Sequence, residues 1–254
     1  MTFWKSLTTT YRGSIAFLVG CPLLALVPVV FEMLQHIVEV RIGMYDSIAA
    51  AKATEHHPLR MAFGMAKVLS LIVPGYWITR FLAFGEPRRA RAMEAPALKL
   101  FAGVFVFHVV LATVQLFVLP QTAAVLLGAF AVGQVIACLT PAWAVAAALG
   151  NPAVGPMRSI GIMVRQSPWT LAFLLAAILP PMILHYALGP AALLAPKPWL
   201  WPALVLDSLL VGWLCAVMAA SNYVAARRAA TRRDVALVPV VADAAVTQYT
   251  VYPA

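Results

Sequence analysis

The stretch Leu100–Met157, LFAGVFVFHVVLATVQLFVLPQTAAVLLGAFAVGQVIACLTPAWAVAAALGNPAVGPM, contains no Asp, Glu, Lys or Arg. A helix that spans a bilayer needs about 20 mostly apolar residues. This run is too long for one crossing and long enough for two. Pro120-Gln121-Thr122 is the natural break, because proline cannot donate a hydrogen bond inside a helix and threonine can cap the next one. The stretch therefore reads as a tight helical hairpin, Ala97–Leu119 and Thr122–Leu149.

Working outward, four further segments have the length and the scarcity of charge of a span: about Ile15–Ile37, Met61–Phe84, Trp169–Leu188 and Trp199–Val224. The fold class is all-α, a polytopic helical membrane protein with six transmembrane helices over residues 14–224. The whole-chain composition agrees: of 254 residues 63% are apolar or aromatic and 11% are charged, against about 45–50% and about 25% in soluble domains. That excludes an ordinary soluble enzyme, a disordered chain and a disulfide-stapled secreted module. Cys21, Cys138 and Cys215 sit inside apolar runs and read as packing residues. The first apolar run carries Pro22 and Pro28 without a small-residue cleavage site, so it reads as a retained helix.

Where the basic residues fall gives an orientation. With the N-terminus inside, one side collects Lys5, Arg12, Arg80, Arg88, Arg89, Arg91, Lys99, Arg158, Arg165, Arg227, Arg228, Arg232 and Arg233, and the other only Arg41, Lys52, Arg60 and Lys197. The positive-inside rule then predicts an N-in/C-in topology. The net charge of +9 is spent on topology and on anionic headgroups, which argues against nucleic acid as a partner and for the lipid bilayer. Outside the spans lie an interfacial segment 1–13, an extracytoplasmic loop 38–60 and a cytoplasmic surface helix 153–166. A tail 225–254 follows, basic at first and then Val-rich at 237–241.

Polar side chains inside a span are costly and are the first functional suspects. Gln35, His108, Gln115 and Gln134 belong to this group. More telling is a candidate cluster of Glu32, His36, Lys67, His185 and Asp207, which the topology places at similar depth toward the outer side. Lys67 is expected to pair with Glu32 or Asp207, since an unpaired charge in hydrocarbon is expensive. Two readings stay open: a solvated site for a substrate or protons, or a structural ion pair with Lys67 reaching for the headgroups. Glu32, His36 and Glu39 share one helix face, and Glu55-His56-His57 lies in the adjacent loop. No HExxH or second-helix ExxH motif accompanies them, so no metal and no cofactor are expected. Nor is there a GxSxG, P-loop or dinucleotide fingerprint, and no enzymatic activity is expected.

Prolines interrupt four spans, at Pro22 and Pro28, Pro74, Pro141 and Pro180-Pro181; without inverted symmetry between halves they read as kinked packing, with Ala129 and Gly133 allowing close approach in the fourth span.

The middle of the chain resembles the YciC-type family of bacterial inner-membrane proteins. The pattern is the basic loop Gly85-Glu86-Pro87-Arg88-Arg89, a hairpin broken at Leu119-Pro120, and Thr140-Pro141-Ala142-Trp143 late in the fourth span. Gly150 through Gly155 then leads to Met157-Arg158-Ser159 and an apolar run after Trp169. The likeness covers about Phe84 to Leu175, with Pro120-Gln121 where a Pro-Gly turn is expected. It implies six spans and a surface helix between the fourth and fifth, and transfers no reaction and no site residues. The expected function is an accessory or organising subunit of a membrane assembly, with a protein partner docking on the cytoplasmic tail. The alternative is a small solute, lipid or proton-coupled transporter built on the polar cluster.

Overall fold

The computed structural model describes residues 1–239. The described residues hold helices and connecting turns and no strand. In chain order the α-helices are α1 (Phe3–Gly20), α2 (Pro22–Arg41), α3 (Ile48–Thr54), α4 (Pro58–Ile72), α5 (Pro74–Phe84) and α6 (Pro87–Arg91). They continue with α7 (Ala95–Thr113), α8 (Ala123–Leu139), α9 (Pro141–Ala148), α10 (Pro156–Met163), α11 (Ser167–Leu194) and α12 (Lys197–Thr231). Six of the twelve, α2, α4, α5, α6, α9 and α10, begin on a proline. Proline's fixed φ suits the first helical position, where no N–H is needed. Gly85, in the left-handed region at φ 71°, stops α5 by letting its N–H return to the Phe81 carbonyl.

Among the described residues five helical stretches are long and apolar enough to cross a membrane, and a sixth is obtained if α8 and α9, bent by 53° at Thr140-Pro141, count as one. The expected first span, Ile15–Ile37, differs. The helix that enters it begins at Phe3, breaks at Cys21 and resumes to Arg41. The expected boundary between residues 13 and 14 falls inside α1, whose first turns bury Ser6, Leu7 and Thr10 and expose Trp4, Lys5, Thr8 and Arg12. The reason is the small hydroxyl residues: Ser6, Thr10 and Ser14 are fully buried because each hydroxyl bonds to a carbonyl three or four residues earlier in its own helix.

Helix α12 is the axis of the fold, packing on α11, α2, α1, α5 and α9. Its 35 residues run about 52 Å, well beyond a hydrocarbon layer of about 30 Å. The extra length takes in the expected start of the tail, since Ala225, Ala226, Ala229 and Ala230 are buried in the main core cluster. Residues 235–238 then fold back: Leu237 and its neighbours pack on that cluster, and Asn151 Nδ2 donates to the Ala236 carbonyl at 3.0 Å. Residues 240–254, with Val240 and Val241 of the expected Val-rich segment, lie outside the described residues. The expected surface helix 153–166 is α10 followed by a short 3-10 turn, Val164–Gln166, with Ser159, Ile162 and Met163 buried beneath it. The hairpin break at Pro120 is preceded by a π turn, Val114–Val118. Gly133 does not mediate close packing: a Cβ there would meet nothing within 4 Å.

Close approach occurs at Gly212 instead. A Cβ there would lie 2.5 Å from Val29 Cγ2, so the close approach of α2 to α12 at this level needs a residue without a side chain. Gly212→Leu is expected to push the two helices apart and to lower stability by about 1–3 kcal/mol, read as a drop in melting temperature of the purified protein. Gly133→Leu, with open space around it, is expected to change it little.

Candidate functional site

Where α2 ends, α4 begins, α11 ends and α12 begins, side chains from all four helices converge. The structure brings together all five residues of the expected cluster, Glu32, His36, Lys67, His185 and Asp207. Glu32 is 1% exposed, Asp207 2% and His36 4%. Lys67 Nζ sits 2.7 Å from Glu32 Oε2 and donates to Oε1 at 2.8 Å, so Glu32 is the partner of the two that were expected. His36 lies at the centre. Its Nε2 is 3.1 Å from Asp207 Oδ2 and 3.5 Å from Glu32 Oε1, and its Nδ1 is 3.1 Å from Glu39 Oε2. His185 Nδ1 is 2.8 Å from the other Asp207 oxygen.

The register follows from helix periodicity. Glu32, His36 and Glu39 stand at i, i+4 and i+7 on one face of α2, and Arg60 and Lys67 are two turns apart on one face of α4. The two helices run antiparallel, so Glu32 pairs with Lys67 and, two turns along, Glu39 pairs with Arg60 (Nε to Oε1 at 3.0 Å). Glu39 also accepts from Gln35 Nε2 at 3.1 Å and from the Tyr45 hydroxyl at 3.2 Å. Burial, reinforced by the Glu39 charge beside it, pushes the Tyr45 phenol above its ordinary value, so it stays a donor.

Arg60 and Tyr45 are further members, both from the expected loop 38–60. The signal for Arg60 was Pro58: a proline-initiated helix starting there, rather than at Met61, puts Arg60 in its first turn, seven residues before Lys67. Nothing local marks Tyr45, which reaches the cluster from the turn after α2. The loop imidazoles stay apart: His56 is exposed, and His57 caps α4 by accepting from Leu59 N at 3.3 Å. His108 is occupied with its own helix, its Nδ1 2.9 Å from the Val104 carbonyl, and Gln115 is exposed.

A cavity of about 370 Å³ opens between these groups, with Met44, Gly189, Pro190 and Leu193 among its apolar walls. Three carboxylates face two fixed cations and two imidazoles. With both imidazoles neutral the cluster carries one net negative charge, which a cation or a proton offsets. One carboxylate oxygen each from Glu32 and Asp207 and a ring nitrogen of His36 lie within 4.8 Å of one another, close enough to serve a single ion. No family model, curated protein or solved structure matches this chain.

Proposed function

We propose that this chain is an integral protein of a bacterial cytoplasmic membrane, crossing it six times with both termini inside. In this reading its buried polar cluster binds a small solute from the outer side and carries it across. The resemblance of residues 84–175 to the YciC-type family belongs to this proposal, as does the absence of a catalysed reaction. Orientation rests on the 13-to-4 distribution of Lys and Arg. Trp199 and Trp201, exposed at the start of α12, suit the outer interface, and Asp207 lies about two turns deeper.

The observation that carries the carrier reading is the cavity lined by three buried carboxylates and two imidazoles in so apolar a protein. Burying such groups is costly and marks ion and substrate pathways in membrane proteins. The accessory role rested on the tail as a docking element. Within the described part of the tail, 225–239, Ala225, Ala226, Ala229, Ala230 and residues 235–238 are engaged with the bundle, which moves the weight to the cluster.

The test has two steps. Thermal stabilisation of the detergent-purified protein is screened across inorganic cations, amino acids, carboxylates and polyamines, and uptake of a stabilising compound into proteoliposomes is then measured. Asp207→Asn is expected to reduce both by about tenfold or more, the loss of one charged hydrogen-bonding partner. Equal stabilisation and uptake in wild type and Asp207→Asn would sink the carrier reading.

A further inference from the structure

Resting on that solute-site reading, and naming the solute class, we propose that the cluster is a site for a divalent transition-metal ion. Its ligands are a carboxylate oxygen of Glu32, Nε2 of His36 and a carboxylate oxygen of Asp207. The spacing supports it. Zinc binds such donors at about 2.0–2.2 Å, which sets neighbouring ligand atoms of a tetrahedron about 3.4 Å apart. His36 Nε2 stands 3.1 Å from Asp207 Oδ2 and 3.5 Å from Glu32 Oε1. One ring N–H cannot point along both directions, whereas an ion between the three atoms serves all of them.

The surroundings support it independently. Each ligand is held from behind, as metal ligands are. His36 Nδ1 meets Glu39 Oε2 at 3.1 Å, the Asp207 Oδ1 atom meets His185 Nδ1 at 2.8 Å, and Lys67 Nζ holds both oxygens of Glu32, Oε2 at 2.7 Å and the ligand atom Oε1 at 2.8 Å. With Nδ1–H donated to Glu39, Nε2 is the nitrogen that faces Asp207 and Glu32 and would ligate. Gln35 supplies a further observation. It is 8% exposed, lines the cavity and donates its Nε2 to Glu39, which fixes the amide orientation; its Oε1 is buried with no hydrogen-bond partner. An unpaired buried acceptor is costly, and a water on the ion is the kind of donor it lacks. Three protein ligands beside a cavity leave a coordination position open, as in exchangeable rather than structural sites. Imidazole with carboxylate suits zinc, manganese or iron. Copper(I) is disfavoured, since the three thiols are buried elsewhere.

The experiment uses the full chain in detergent, stripped with a chelator and titrated with Zn²⁺ against a chromogenic competitor, and with Co²⁺ followed by its visible absorption. One Zn²⁺ per chain is expected, and Co²⁺ bands of four- or five-coordinate N/O ligation. His36→Gln and Asp207→Asn are each expected to weaken binding at least tenfold. Glu39→Gln, acting through His36, is expected to cost about 10–100-fold while keeping the Co²⁺ bands at saturation. The double variant His56→Ala/His57→Ala is expected to bind as wild type does. Should Asp207→Asn not fold, the wild-type Co²⁺ spectrum and the Glu39→Gln titration still decide. Three results overturn the proposal: no saturable Zn²⁺ binding by the folded wild type, undiminished binding in folded His36→Gln, or loss of binding in the His56/His57 variant. If Zn²⁺ does not bind but an organic compound stabilises wild type and not Asp207→Asn, the metal assignment falls and the solute site stands. If Zn²⁺ binds through His36 but proteoliposomes take up none, the metal site stands and the carrier reading falls.

Discussion

Lys67→Met is expected to lower stability by about 3–5 kcal/mol, the cost of leaving one member of a buried ion pair without its partner. In a protein of this length that corresponds to a fall in melting temperature on the order of 10 °C. The expectation rests on which way Lys67 points. Its ammonium sits 2.7 Å from Glu32 Oε2, its side chain is 17% exposed, and Glu32 is 1% exposed. The lysine is turned inward to a carboxylate with almost no access to water, rather than stretched toward a headgroup layer. Removing the cation leaves that carboxylate buried, with the His36 ring 3.5 Å away as the nearest partner. Removing both charges is another matter: Lys67→Met combined with Glu32→Leu is expected to regain most of the loss, because well-packed apolar residues often replace a buried pair at little cost. Thermal melts of the two single variants and the double give the coupling directly. A Lys67→Met protein that melts within about 1 kcal/mol of wild type would mean that water, not Lys67, is what Glu32 leans on. Arg60→Met is the contrast. Arg60 is 26% exposed, and Glu39 keeps Gln35, His36 and Tyr45 when it is gone, so a smaller loss is expected.

The same pair shows what the sequence makes legible. The helices come from apolar length and from prolines, both of which are local. The facing charges on α2 and α4 are legible as two i, i+7 sets of opposite sign, provided that the second helix is started at Pro58. Asp207 and His185 are legible at the same level, since each lies a fixed number of residues from the end of an apolar run expected to span. The break at Cys21 had no such signal. Proline at position 22 is compatible with a continuous helix kinked there or with a new one starting, and tertiary packing chooses between them. The reach of α12 past Val224 was equally hidden. Arg227 and Arg228 look like the end of a span because they are charged, yet Ala225, Ala226, Ala229 and Ala230 on the other face bury against the rest of the core. A charge count locates where a helix leaves hydrocarbon, not where it stops. Tyr45 was invisible for a third reason: a turn residue's reach depends on the path of the chain between two helices, and composition carries no record of that path.

Arg80 is where reading charge as topology is most incomplete, and it gives the second large effect. Counted from sequence it is one more basic residue on the Arg-rich side, but it is 0% exposed. Its guanidinium fork donates from Nε to the Arg89 carbonyl at 3.2 Å, from Nη1 to the Ala148 carbonyl at 3.3 Å and from both Nη atoms to Glu94. It also lies about 5 Å from the Tyr76 and Phe84 rings. One side chain thus ties α5 to α6, to the start of α7 and to the end of α9. Arg80→Met is expected to cost about 3 kcal/mol or more, since hydrogen bonds to a charged group contribute about 1.5–3 kcal/mol each and the Arg89 and Ala148 carbonyls both lose the guanidinium. Arg80→Lys is not expected to restore it, because an ammonium lacks the planar fork that reaches several directions at once. Glu94 is the other end of the same ion pair, and its side chain is 57% exposed. Glu94→Gln is therefore expected to cost under about 1 kcal/mol, as for a solvent-screened pair. Melting the three variants side by side separates the two explanations. If Glu94→Gln were as damaging as Arg80→Met, the charge pair would hold this end of the bundle. If only the arginine variants collapse, it is the buried fork on the Arg89 and Ala148 carbonyls that does so.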